Sequence, residues 1–226
     1  LEILPEQHNL GLRGIDGQSY AIPSYEQLVA ELKSNPEYLT VLETKIKQGF
    51  SKLLIVPFGL PLAVIFDRYK RLLLKTHRQS GLKATDGKRL EVDENNPLYL
   101  WGKYQEADRN GELEYFVTNL TAKTKAERGG QSKQELLNRG QAFQVLLVED
   151  LPDLPAEGQG QTLGGRKQLE ANRSAIDYLR ALQTESQYQN EQGLTPEAVL
   201  TLWLTYLKEQ NLVLDDYSGQ GKAERL

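Results

Sequence analysis

Hydrophobic and polar positions follow helical and extended periods in a definite order along the chain. Ser24 and Gln27 stand three apart ahead of an apolar-periodic segment, which predicts a reciprocally capped helix running to about Ser34. Asn35-Pro36 restarts the pattern as cap and first turn, and PEYLTVLETKIKQ carries it to a stop at Gly49. Lys52 to Val56 then reads as a run of β-forming residues between a glycine and a proline, the pattern of a strand buried on both faces. Pro61 opens a third helix, LAVIFDRYKRLLLKTHR, which fades before Gly81.

The middle of the chain changes character. Asp86-Gly87 lies between LKAT and KRLEV, and Asn110-Gly111 lies between LYLWGKY and ELEYFV, so residues 82 to 118 are expected to form an antiparallel meander. The polar stretch TAKTKAERGGQ at 121 to 131 reads as a mobile loop. Ser132 and Glu135 repeat the capping signature before a short helix closed by Gly140, and Phe143 to Val148 predicts a second strand buried on both faces. Helical patterning returns at RKQLEA, continues in a Ser174-capped helix to about Gln183, and ends in a helix from Thr195-Pro196 to Asn211.

Helices with a strand, a meander, then a strand with helices predict an α+β fold. The expected architecture has helical N- and C-terminal parts around a small mixed or antiparallel sheet with a central β-meander. At 226 residues the chain reads as one globular domain. A division into two lobes, 1–81 and 82–226, is the alternative.

Composition narrows the chemistry. A net charge of -4 argues against a chain that coats nucleic acid over its whole surface. The absence of cysteine excludes disulfides, thiolate metal sites and cysteine nucleophiles. His8 and His77 are the two histidines and neither sits in a metal or catalytic motif. The absence of methionine leads us to expect that Leu1 is not the native start, and DDYSGQGKAERL reads as a linker or cut end. The longest apolar run, KLLIVPFGLPLAVIF, is too short and too broken by Pro57, Gly59 and Pro61 to span a membrane, so the chain reads as soluble. Nothing in it points to a compartment.

Three candidate sites stand out. The first spans 149–167: Glu149, Asp150 and Asp153 past a strand end could take a divalent cation through oxygen, and Gly164, Gly165, Arg166 and Lys167 form a glycine-to-basic junction suited to phosphate. Its spacing departs from both the Walker and the dinucleotide patterns, and the glycines begin about ten residues after the strand instead of directly on it. An internal salt link from Arg166 to the acids is the expectation over a ligand.

The second candidate is basic: between residues 68 and 89 lie Arg68, Lys70, Arg71, Lys75, Arg78, Lys83, Lys88 and Arg89 against Asp86 alone. Arg68, Arg71, Lys75 and Arg78 fall on one helical stripe, which would suit an anionic partner, or else is a solvated face. The third is aromatic: Tyr99 and Trp101, with Tyr115 on the next expected strand, would form a stacking platform if exposed.

No acid, base and nucleophile are paired in the sequence. The favoured reading is therefore a non-catalytic binding or scaffold module with a protein partner and no cofactor. A nucleic-acid or polyanion binder acting through 68–89 is one alternative. The other is an Mg2+- or phosphate-dependent enzyme built on 149–167.

Overall fold

Helix starts are set by side chains a few residues away. Ser24 caps α1 (Tyr25–Ser34) reciprocally with Gln27, Ser132 caps α5 (Lys133–Leu137) reciprocally with Glu135, and Ser174 caps α6 (Ala175–Thr184). Proline occupies the first turn of α2 (Pro36–Lys47) and of α7 (Pro196–Gln210), where a missing N–H costs nothing. Asn211 ends α7 in the left-handed conformation. The computed structural model describes residues 12–98, 104, 106–150 and 154–214.

The class is α+β, with helices around small antiparallel ladders. The longest ladder pairs β3 (Phe50–Val56) with β6 (Gln144–Glu149), in the register Leu53 to Leu147 and Ile55 to Val145. Three short hairpins complete the strands: β1 (Leu12–Arg13) with β2 (Ser19–Tyr20), β4 (Leu82–Lys83) with β5 (Arg89–Leu90), and β7 (Thr162–Leu163) with β8 (Arg166–Lys167). The expected meander is thus narrower than its pattern suggested. Asp86-Gly87 does turn a hairpin, but among the described residues of 91–118 the only ladder contact is the bridge between Tyr115 and Gln131.

The principal core lies between α3 (Leu62–Gln79) and α7, where Ile65, Tyr69 and Leu73 meet Leu200, Leu204 and Leu207. Leu82 and Leu90 close it from the hairpin below, and Tyr69 stacks at a tilt on Trp203, 5.5 Å between ring centroids. The β3–β6 ladder lays Leu54, Val56 and Leu146 on α7, against Ala198 and Leu202. Its other face is open in part: Leu53 is 53% exposed and Val145 42%. The two strands are therefore not buried on both faces, because a two-stranded ladder has one helix to lie on and no second layer.

Residues 121–131 are more ordered than their composition suggested. Thr124 and Glu127 cap a short helix, α4 (Lys125–Arg128), and Arg128 grips Glu114 with Nε at 2.7 Å and Nη2 at 2.5 Å.

Candidate functional site

Two groups of charged side chains are buried; the first was not visible in the sequence, and of the second only the link from Arg166 to the acids at the end of β6 was expected. The first forms where α5, α7 and the turn at 106–110 converge beneath the loop that joins β3 to α3. Lys133, the first residue of α5, is fully buried and its Nζ donates to Asp108 Oδ2 at 2.6 Å and to the Leu60 carbonyl at 2.6 Å. The same Nζ lies 2.8 Å from Glu197 Oε1, in the first turn of α7. Glu197 Oε1 also accepts from the Tyr115 hydroxyl at 2.8 Å, and Asp108 Oδ2 accepts from the Leu62 amide at 2.7 Å.

Aromatic rings roof this group. Lys133 Nζ sits 5.4 Å from the centroid of Phe58, and Phe58 meets Tyr115 edge to face. Burial, then the adjacent Glu197 carboxylate, pushes the Tyr115 hydroxyl far above its ordinary range, which keeps it a donor. Phe116 beside it holds φ at 55°, a conformation that bulky residues rarely adopt. Two carboxylates face one ammonium here, and Asp108 Oδ1 and Glu197 Oε2 have no hydrogen-bond partner.

The second group is built on the glycine-rich candidate. Gly164 and Gly165 take φ of 54° and 81°, the type I′ pattern, and turn a two-residue hairpin between Leu163 and Arg166. Arg166 and Lys167 therefore lie on a strand and not at a helix start; the next helix begins at Ala175. The arrangement of strand, glycine turn and helix that would aim backbone N–H groups at a phosphate is absent from this hairpin.

Arg166 instead folds back onto the acids. Its guanidinium binds Glu191 through Nε at 2.7 Å and Nη2 at 2.8 Å, and Glu149 through Nη1 at 3.1 Å. Lys45 reaches Glu191 at 2.6 Å, Gln168 donates to Glu149 at 3.1 Å, and the guanidinium stacks between Phe50 and Tyr188. Asp150 accepts from the Tyr206 hydroxyl and faces Lys52 at 3.6 Å. Asp153 lies outside the described residues. Among the described residues no cluster of three acid or histidine side chains could hold a metal ion.

Gly164 has a second constraint. A Cβ there would stand 2.7 Å from the Lys47 carbonyl oxygen at the end of α2, whereas one on Gly165 would meet nothing within 4 Å. Gly164→Ala should therefore lift the hairpin off α2. Gly165→Ala should cost only the left-handed penalty, about 1–2 kcal/mol. Denaturant melts of the two variants should rank them in that order, with the 154–161 loop of Gly164→Ala cut faster by protease.

The same loop carries an acid-sensitive link. Glu170 is held below the usual carboxylate range by backbone N–H of Gly158 first, then by Lys167 and the Gly160 amide, whose N lies 3.0 Å from Oε1. A depressed folded value means the contribution is present above the unfolded value, about 4.3, and is lost as pH falls through the folded one. An NMR titration should show the Gly160 amide shifting at lower pH than the range in which a free glutamate titrates, about 4.3.

The basic stripe is interleaved with acids. Arg71, Lys75, Arg78, Lys83, Lys88 and Arg89 are exposed and Arg68 is half-buried. Arg71 pairs with Asp67 at 2.7 Å, Arg78 with Glu94 at 2.6 Å, Lys88 with Asp86 at 2.6 Å and Arg89 with Glu91 at 2.6 Å. Over residues 67 to 94 eight basic side chains face five acidic ones, so the local net charge is +3. Of the aromatic candidates, Tyr99 and Trp101 lie outside the described residues, and Tyr115 is buried with its hydroxyl on Glu197.

Open apolar surface lies also on the N-terminal helices. Neither α1 nor α2 buries a hydrophobic side chain among the described residues; Lys45 is the one buried residue of α2. Tyr25, Tyr38, Leu39 and Ile46 all stand out to solvent, Ile46 at 56%. Leu39 and Ile46 are seven residues apart and share one stripe, with half-buried Leu42 between them. Sequence periodicity announced the amphipathic helices but not that part of their apolar side would stay uncovered.

Comparison with protein-family models gave no match, and comparisons with curated proteins and with solved structures gave none either. Among the described residues, no helix is long and apolar enough to cross a membrane.

Proposed function

We propose that this chain is a non-catalytic binding or scaffold module, folded as one globular domain, whose ligand is an amphipathic helical segment of a protein partner. The observation that carries this reading is the α1–α2 pair: two regular helices that contribute no hydrophobic side chain to the core. Helices of 10 and 12 residues draw most of their stability from packing an apolar face, and here that face is left to another molecule. Leu39 and Ile46, two helical turns apart, match the i, i+7 anchor spacing of a helix laid along a groove.

A peptide-display selection on the purified protein, followed by solution titration of the recovered peptides, tests it. Amphipathic apolar peptides should bind, and Leu39→Lys with Ile46→Lys should weaken them at least tenfold, since two buried aliphatic contacts of about 1.5–3 kcal/mol each are lost. Equal binding to the double variant overturns the proposal. Retention on heparin at low salt that disappears with Arg71→Glu, Lys75→Glu and Arg78→Glu would favour polyanion binding in its place. Thermal stabilisation by nucleotides or Mg2+ would favour a phosphate- or metal-dependent enzyme on residues 149–167.

A further inference from the structure

The geometry points to an intramolecular amide bond between the side chains of Lys133 and Asp108, formed by the chain itself with Glu197 as the proton carrier. Three observations converge on it. Lys133 Nζ is held 2.6 Å from Asp108 Oδ2 and 2.8 Å from Glu197 Oε1, with the lysine and both carboxylate side chains wholly removed from solvent. The Leu60 carbonyl, 2.6 Å from Nζ, and the Phe58 ring fix the amine from its other sides. The two oxygens of Asp108 are unequal: Oδ2 accepts from the Leu62 amide and Oδ1 has no partner.

That inequality sets the direction of the reaction. Condensation needs the pair as free amine and carboxylic acid, and a proton carrier in contact with the amine supplies that form. Glu197 takes a proton from the ammonium through Oε1 and passes it to the Asp108 carboxyl. The amine then attacks Cγ of Asp108. Negative charge gathers on Oδ2, where the Leu62 N–H already points, and that oxygen remains as the amide carbonyl. Oδ1 departs as water. Of the three ammonium protons, two leave with that water and one stays on the amide nitrogen, while Glu197 ends in its starting state. No oxidant, metal or cofactor enters the balance. Holding amine and carboxyl in contact removes the entropy loss that makes such a condensation slow between separate molecules, and an interior that excludes water hinders the reverse hydrolysis.

The bond would close a loop from the 106–110 turn to α5, spanning 25 positions. Tyr115, whose hydroxyl holds Glu197 Oε1 from the opposite side, lies within that loop.

Intact-mass spectrometry of the purified full chain under denaturing conditions decides the matter without any variant. The expected mass is that of the sequence less one water. Trypsin should give one branched product joining residues 104–109 to residues 129–139, with no cleavage after Lys133. The full sequence mass, with cleavage after Lys133 and two separate peptides, overturns the inference. Glu197→Gln keeps the side chain's volume and an oxygen for the Tyr115 hydroxyl, so it should fold, as judged by circular dichroism, yet retain the water. A Glu197→Gln protein that still loses the water overturns the role assigned to Glu197.

Discussion

Lys133→Ala should leave the protein unfolded, or folded only at low temperature. The substitution removes the side chain that Asp108 and Glu197 share in a site without solvent contact. Stranding buried carboxylates by deleting their partner costs about 3–5 kcal/mol. A domain typically has about 5–15 kcal/mol in total, so the loss consumes much of the stability available. Urea unfolding followed by circular dichroism should show the midpoint collapse with the slope little changed. Lys133→Met combined with Asp108→Asn and Glu197→Gln should recover most of the loss, because neutral groups of similar volume avoid the desolvation that makes the lone carboxylates costly. If the triple variant is as unstable as Lys133→Ala, the damage comes from the shape of the lysine stem and not from its charge.

Arg166→Ala should act locally. The guanidinium holds Glu191 by two hydrogen bonds and Glu149 by two longer ones, and lies between Phe50 and Tyr188. Its removal leaves Lys45 as the cation on Glu191 and detaches the β7–β8 hairpin from α2 and β3. We expect amide exchange across 154–174 to rise by orders of magnitude while α3 and α7, whose core is separate, keep their protection. Arg166→Lys should not restore it: an ammonium can neither fork across two carboxylates nor stack flat between two rings. Equal exchange in wild type and Arg166→Ala would show that the hairpin is held by its own turn.

Much of the fold was legible wherever the deciding interaction is short. The Ser24, Ser132, Ser174 and Thr195 caps each act on a backbone N–H three residues on, so their sequence signatures and their helices coincide. The same rule was available at Thr124 and Glu127, where the capping box sits inside a stretch whose polarity suggested a loop. The Leu163-Gly164-Gly165-Arg166 turn was also legible, as two glycines between hairpin arms, but the basic residues after it resembled a helix start.

The sequence by itself determined the limits of α1, α2, α3, α6 and α7, the Asp86-Gly87 turn and the α+β class, because caps and turn glycines act within three or four residues. It also marked α3 as amphipathic, with Ile65, Tyr69 and Leu73 inward and its basic residues outward. Only the tertiary structure decided which charges are buried. Lys133 reads as an ordinary exposed lysine at a helix start, and it is enclosed because Asp108 and Glu197, 25 positions before it and 64 after, are carried to it by the α3–α7 core. Residues 162 to 167 likewise became an anchored hairpin, with Glu191 and Lys45 brought to Arg166 from distant elements. Charge pairing in a dry interior depends on which backbones meet, and that is fixed by packing over the whole chain.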